Sequence, residues 1–169
     1  MEKSALNEKL KIRFAKEEDT GILLDFIKRL AVYEKRPESV KATNDDIRRT
    51  IFEKKIAEAI IAEYERKPAG FAIFFYNFST FIGKPGIYIE DLYVNEEARG
   101  KGIGKALFSF LADLAIQRDC AMLEWTVLKW NTPSIRFYEK IGAKNKEEWF
   151  IYRLEGKSLS DASLKKSSK

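Results

Sequence analysis

Three groups of residues carry the chemistry open to this chain. The first is the run Arg99-Gly100-Lys101-Gly102-Ile103-Gly104-Lys105, which follows an apolar stretch and opens a helical pattern. Glycines there let the backbone approach a ligand and reach positive φ. The unpaired N–H groups of a helix start, together with the helix dipole, favour an anion. Arg99, Lys101 and Lys105 add positive charge, so the run suits a pyrophosphate. It is not a Walker loop, because three residues separate Gly100 from Gly104 and Ala106 follows Lys105. A dinucleotide fingerprint fails at Lys105, where a third glycine belongs. A tight strand-to-helix turn with incidental glycines is the plainer alternative. The second group is Glu90-Asp91, two carboxylates interrupting the apolar run Ile87-Tyr88-Ile89…Leu92-Tyr93-Val94. Such a group is costly inside a sheet unless paired or hydrated. The third is Tyr138, a phenol set among Ile135, Phe137 and Ile141, which reads alone as an amphipathic core tyrosine.

Absences narrow the chemistry further. The chain of 169 residues has no histidine and one cysteine. Ser-His-Asp and Cys-His nucleophile systems cannot be assembled, nor can His-containing or Cys₄ zinc sites. Proton transfer is left to Asp, Glu, Tyr, Lys, water or one thiol. Cys120, just after a helical stretch and away from every motif, reads as a buried inert thiol.

The elements that must position these groups follow from periodicity. Leu10–Ala15 alternates as a strand. Asp19 and Thr20 can cap a helix whose Leu23, Phe26, Ile27 and Leu30 form one buried face. Thr43–Lys55 reads as a second helix with Thr43 and Asn44 as caps. Ala57–Glu65 and Ala69–Asn77 read as a hairpin with Pro68 in its turn. Ile87–Val94 is a third long strand, and helical spacing returns at Ile103, Leu107, Phe110, Leu111 and Leu114. Met122–Leu128 is strand-like. Thr132 caps a helix with Pro133 in its first turn and Gly142 at its end. Trp149–Leu154 reads as a last strand. The order β-α-α-β-β-β-α-β-α-β implies a mixed α/β sheet covered by helices.

Arg99-x-x-Gly102-x-Gly104 between strand and helix, followed by Asn131, Pro133, Phe137, Tyr138 and Gly142, resembles the GNAT superfamily of N-acetyltransferases. Ile22–Glu34 (ILLDFIKRLAVYE), Tyr88–Val94 (YIEDLYV) and Trp130–Ala143 (WNTPSIRFYEKIGA) are similar to its diamine acetyltransferases, the spermidine/spermine and thialysine enzymes. The likeness runs over roughly residues 10–155. It implies one domain over 1–155, with a mostly antiparallel central sheet flanked by helices and a splayed strand pair at the coenzyme site. Acetyl-CoA is the implied co-substrate, with no metal. Gly100–Lys105 with Arg99 hold the pyrophosphate. Leu92, Tyr93 and Val94 line a bulge and pair with the pantetheine arm, the Val94 N–H serving as oxyanion donor. Asn131 and Ser134 are further coenzyme contacts.

For the chemistry, the resemblance makes Tyr138 the acid that protonates the departing thiolate. It makes Glu90 the carboxylate that draws off the amine proton through water. Strand alternation puts Glu90 and Asp91 on opposite faces, so both cannot serve alike without a bulge. Asn131 could equally bond its own turn at the helix entry. The amine site is implied near the first two helices, the Glu90 strand and a partner subunit, with Asp25, Tyr33, Glu34 and Trp125 as acidic or aromatic candidates. The implied reaction is direct transfer of an acetyl group to a primary amine of a small diamine, polyamine or thialysine-like molecule. Transfer to a protein lysine or N-terminal amine, and a coenzyme-binding module without turnover, are the alternatives.

Bulk composition bounds partners and place. Of the formal net charge of +5, the segment 156–169 supplies most, through Lys157, Lys165, Lys166 and Lys169 against Asp161. That segment reads as a basic, flexible, solvated tail rather than a nucleic-acid site. The weakly charged body shows no acidic field suited to a polyamine. No apolar run approaches the roughly 18 residues of a membrane helix, and Met1–Lys11 lacks an apolar signal core. A cytoplasmic protein with no membrane association is expected, and the family resemblance implies a homodimer.

Overall fold

The computed structural model describes residues 9–163, and two compact units divide the chain after Leu128. The first unit is built on five strands in the spatial order β1-β2-β3-β4-β5. They are β1 (Leu10–Phe14), β2 (Glu58–Tyr64), β3 (Lys67–Ser79), β4 (Lys84–Val94) and β5 (Leu123–Trp125). Neighbours pair antiparallel except β4 with β5, which run parallel. The mixed α/β sheet expected from the element order is therefore present.

Each face of the sheet is closed by helix. On one face lie α1 (Thr20–Tyr33) and α2 (Asn44–Ile47), the latter continuing as a wider π-helical turn over Arg48–Glu53. Leu23 and Phe26 of α1 pack with Ile51 against Ala59, Ile61, Phe71, Ile73 and Tyr93. Phe26 stacks on Phe71 at 5.1 Å between ring centroids. On the other face lies α3 (Ile103–Gln117). Its Phe108 meets Trp125 edge-on at 5.0 Å, and Phe110 meets Phe14 at 5.7 Å. α2 starts on a reciprocal cap, Thr43 with Asp46, as its sequence suggests.

Asp19 precedes α1 but does not cap it with its side chain. It is buried at 3% exposure, takes two bonds from Arg13 at 2.6 and 2.9 Å, and accepts the Lys16 N–H. The Arg13 guanidinium holds the Asp19 carboxyl below the usual carboxylate range. A depressed folded pKa contributes stability at neutral pH that is lost as acid carries the solution down through that carboxylate range. Asp19→Asn is expected to destabilise the fold by about 1–2 kcal/mol at pH 7, because it weakens two charge-assisted bonds from Arg13, whose Nε keeps Glu63 at 2.7 Å. The loss should shrink in acid; urea unfolding at pH 7 and pH 3 checks both parts.

Several local expectations are corrected. The β2–β3 turn is Glu65-Arg66, both at positive φ, and Pro68 lies within β3 opposite Glu63 beside a register shift. Proline is tolerated in a strand where a bulge breaks the ladder. The strand expected over Met122–Leu128 shortens to Leu123–Trp125, because β4 leaves it after Ile89.

The second unit carries α4 (Thr132–Lys140) and α5 (Lys157–Asp161). Asn131, not Thr132, caps α4, and Gly142 closes it at φ +90° with its N–H on the Glu139 carbonyl. Trp149–Leu154 is no strand and its aromatic side chains are exposed, since no described strand of this unit offers a ladder partner. Part of the expected flexible tail is the helical turn α5, held by Lys157–Asp161 at 2.6 Å. Lys165, Lys166 and Lys169, and the segment before Lys9, lie outside the described residues.

Candidate functional site

β4 has two different edges. Along β3 it is paired from Lys84 opposite Ser79 to Val94 opposite Gly70, with one break at Glu90. Along β5 it is paired only at Ile87, Tyr88 and Ile89. From Glu90 to Val94 that second edge has no strand beside it among the described residues. The Asn95 N–H donates to the Ala69 carbonyl at 2.9 Å, so alternation turns the N–H groups of Leu92 and Val94 toward the open edge. The expected splayed pair is thus present. An extended ligand carrying amide groups can pair there as an added strand. The strand lies close on its other side too: a Cβ on Gly70 would meet the Tyr93 carbonyl oxygen at 2.8 Å. No sequence signal marks that glycine beyond its small size.

The glycine turn adjoins the end of this edge. Gly100 and Gly102 take φ +77° and +78°, and Gly102 opens α3 with no side-chain cap. The helix geometry therefore leaves the N–H groups of Ile103, Gly104 and Lys105 without intrahelical acceptors. A Cβ on Gly104 would stand 3.9 Å from the Val94 side chain, which places the turn against the strand end. Arg99 binds the Val94 carbonyl through Nε at 3.2 Å and lies over the rings of Tyr33 and Tyr93 at 4.7 and 5.6 Å. Lys101 lies over Tyr64 at 4.9 Å, and Lys105 is exposed. Backbone amides, a helix dipole and nearby cations are groups that favour an anion at this turn.

The carboxylates lie at the start of the open edge. A register shift leaves Glu90 without a β3 partner: Ile89 opposes Phe74 and Asp91 opposes Ile73. Glu90 is exposed and Asp91 half-buried. Burial, then the neighbouring Glu90 and Glu34 charges, push the Asp91 carboxyl up to about 6. Glu34, half-buried just past α1, is also pushed up by burial. Tyr33 packs near Tyr93 at 6.5 Å.

Glu34, Tyr33 and Glu90 are thus brought to one region. Asp25 and Trp125 are not part of it. Asp25 pairs with Arg29 one turn along α1 at 2.8 Å, and Trp125 is committed to α3 on the opposite face. Asp91 was no more than Glu90's neighbour in the sequence; only the bulge reveals its place.

Asn131, Ser134 and Tyr138 belong to the second unit. Their spacing sets them on one face of α4. Asn131 Oδ1 accepts the Ser134 N–H at 3.4 Å, so the side chain bonds its own turn. Tyr138 meets Phe137 edge-on at 5.7 Å.

The chain matches the Acetyltransferase (GNAT) family over residues 24–143. It is 33% identical over 162 residues to a thialysine N-epsilon-acetyltransferase of Bos taurus, covering 89% of this chain and 95% of that one. A thialysine N-epsilon-acetyltransferase of Caenorhabditis elegans is 35% identical over 141 residues, covering 82% and 87%. Among solved structures, an integron cassette protein from the mobile metagenome of V. cholerae superposes with TM-score 0.75 at 30% identity, over 90% of this chain and 96% of its own. The open edge of β4, the glycine turn beside it and these likenesses agree: the chain belongs to the GNAT acetyltransferase family and is an acyl-transferring enzyme.

Proposed function

We propose that this enzyme moves an acetyl group from acetyl-CoA to a primary amine of a small diamine, polyamine or thialysine-like molecule by direct attack. The observation that carries the reading is the unpaired β4 edge running from a carboxylate pair to an anion cradle. The coenzyme fits the groups present: three helix N–H groups and Lys101 and Lys105 suit its pyrophosphate, and the Leu92–Val94 edge suits the amides of its arm. Bound acetyl-CoA supplies the thioester acetyl group. Family membership and the thialysine acetyltransferase relatives support the amine.

The chain's own residues take these roles in the proposal. The Val94 N–H donates to the carbonyl oxygen on which charge develops. Asn131 and Ser134 contact the coenzyme arm. Tyr138 gives its proton to the leaving sulfur. A carboxylate of the Glu90–Asp91 pair draws off the amine proton; the resemblance assigns this to Glu90. Glu34 and Tyr33 stand where a second ammonium or methylene chain could lie.

Thiol release measured over diamines, polyamines, thialysine, lysine and lysine-containing peptides tests the substrate class. Turnover of free amines is expected. Activity on peptides alone selects the protein-acetylating alternative. Coenzyme binding without turnover of anything on the panel selects the non-catalytic one.

A further inference from the structure

An arginine at the start of a helix-opening turn can reach an anion held by that turn. The Arg99 side chain goes elsewhere. Its Nε donates to the Val94 carbonyl at 3.2 Å. Its guanidinium lies over two tyrosine rings, 4.7 Å from the centre of Tyr33 and 5.6 Å from that of Tyr93. The two rings stand 6.5 Å apart and are inclined at 57°, so they form a corner and the flat cation closes it. The remaining ion pair, with Glu96 at 3.6 Å, is long and exposed.

This side chain joins three parts of the first unit. The Asn95 N–H is used on Ala69 of β3, so the Val94 carbonyl points to the open edge of β4. Arg99 takes that last acceptor, and a strand added to the edge ends on the Val94 N–H. Tyr93 is buried in the core under α1, while Tyr33 packs only at its margin. Arg99 therefore ties the partly exposed ring to the fixed one. Tyr33 is the last residue of α1, and Glu34 follows it, with a charge that Asp91 feels. Whatever fixes Tyr33 thus fixes the acidic end of α1 beside the carboxylates of β4.

We propose that Arg99 is a positioning residue for the amine, acting through Tyr33, and not a ligand of the coenzyme pyrophosphate. The inference rests on the amine-acetylation reading above. The helix N–H groups, Lys101 and Lys105 remain for the anion. The amine lies along a wall made of the Tyr33 ring and the Glu34 carboxylate, and the place of that wall is set from the glycine turn. A planar, weakly hydrated guanidinium suits a corner of two aromatic faces, where a compact, hydrated ammonium does not.

Two quantities measured on the full-length enzyme separate the roles. One is Kd for acetyl-CoA by calorimetry without amine. The other is KM for one amine found active, at saturating acetyl-CoA. Arg99→Gln should raise the amine KM about tenfold, the worth of a stacked, partly desolvated cation. Kd for acetyl-CoA should stay within about threefold, since only a screened charge is lost. Arg99→Lys keeps the charge and should still raise the amine KM, and it decides the matter if Arg99→Gln does not fold. Tyr33→Leu should raise the amine KM as well, and adding Arg99→Gln to it should raise it further by less than roughly twofold, because the two residues act as one unit. An acetyl-CoA affinity lost in Arg99→Gln and restored in Arg99→Lys makes Arg99 an anion ligand and overturns the inference. An amine KM unmoved in the Arg99 variants, or full additivity with Tyr33→Leu, overturns it too. Each of these results leaves amine acetylation standing. A wild type inactive on every amine overturns the proposed function, and this inference with it.

Discussion

Replacing Tyr138 by Phe is expected to lower kcat about 100-fold with little change in the affinity for acetyl-CoA. The substitution removes only the hydroxyl, so the ring keeps its edge-on contact with Phe137 at 5.7 Å and α4 keeps its packing. A positioned acid contributes about 10²–10⁴-fold to a reaction. The low end applies here, because a thiolate with a pKa near ~8.5 leaves without full protonation, unlike an amine or alkoxide. The affected quantity should be kcat, since the proton moves only as the C–S bond breaks. A kcat within threefold of wild type removes Tyr138 from the acid role.

Gly102→Val is expected to weaken acetyl-CoA binding about 100-fold, read as Kd by calorimetry or as KM in the steady state. Gly102 holds φ +78° where it opens α3. A β-branched residue is strongly disfavoured there, at a cost above the roughly 1–2 kcal/mol of an ordinary side chain. The chain relieves that strain by rotating the turn, and the N–H groups of Ile103 to Lys105 then no longer converge. Losing two charge-assisted bonds to a pyrophosphate is worth about 3 kcal/mol, or two decades in affinity. Lys105→Ala gives the contrast. It removes an exposed, salt-screened charge and leaves the amides in place, so only a few-fold loss is expected. Equal losses in the two variants would mean that charge, not backbone geometry, holds the anion.

How much of this was legible in the sequence depends on whether the signal is local. The helix faces of α1 and α3 follow from spacing alone, and the glycine turn declares its left-handed backbone through residue type. Register is not local. The pair Glu90-Asp91 announces a disturbance in a strand, but only pairing with β3 shows that Glu90 is the inserted residue and that Asp91 turns toward α1. Trp125 reads in the sequence as an aromatic candidate for the amine site, and only the pairing of β5 with β4 at Ile89 sets it against α3. Asp25 looked available until Arg29, one helical turn on, claimed it.

Capping was legible in kind but slipped by a residue: Asn131 and Thr132 are both good caps, and Asn131 takes the place. Trp149–Leu154 has strand composition, yet a strand needs a ladder and its unit has none among the described residues. Net charge misled in a different way. The weakly basic body hides three carboxylates, Glu34, Glu90 and Asp91, close enough for the last to feel the other two. A sum over the chain cannot see a local field.

Direct acetyl transfer to an amine is tested by following the acetyl group itself. The full-length enzyme is incubated with acetyl-CoA labelled with ¹³C in the acetyl group, together with thialysine or a diamine. Mass spectrometry then follows the amine and the protein, and free thiol is counted in parallel. Direct transfer yields labelled N-acetyl amine and free coenzyme thiol in equal amounts, with no labelled acetyl group retained on the protein. Label accumulating on the protein before it reaches the amine, or coenzyme bound with no labelled amine formed, would contradict it.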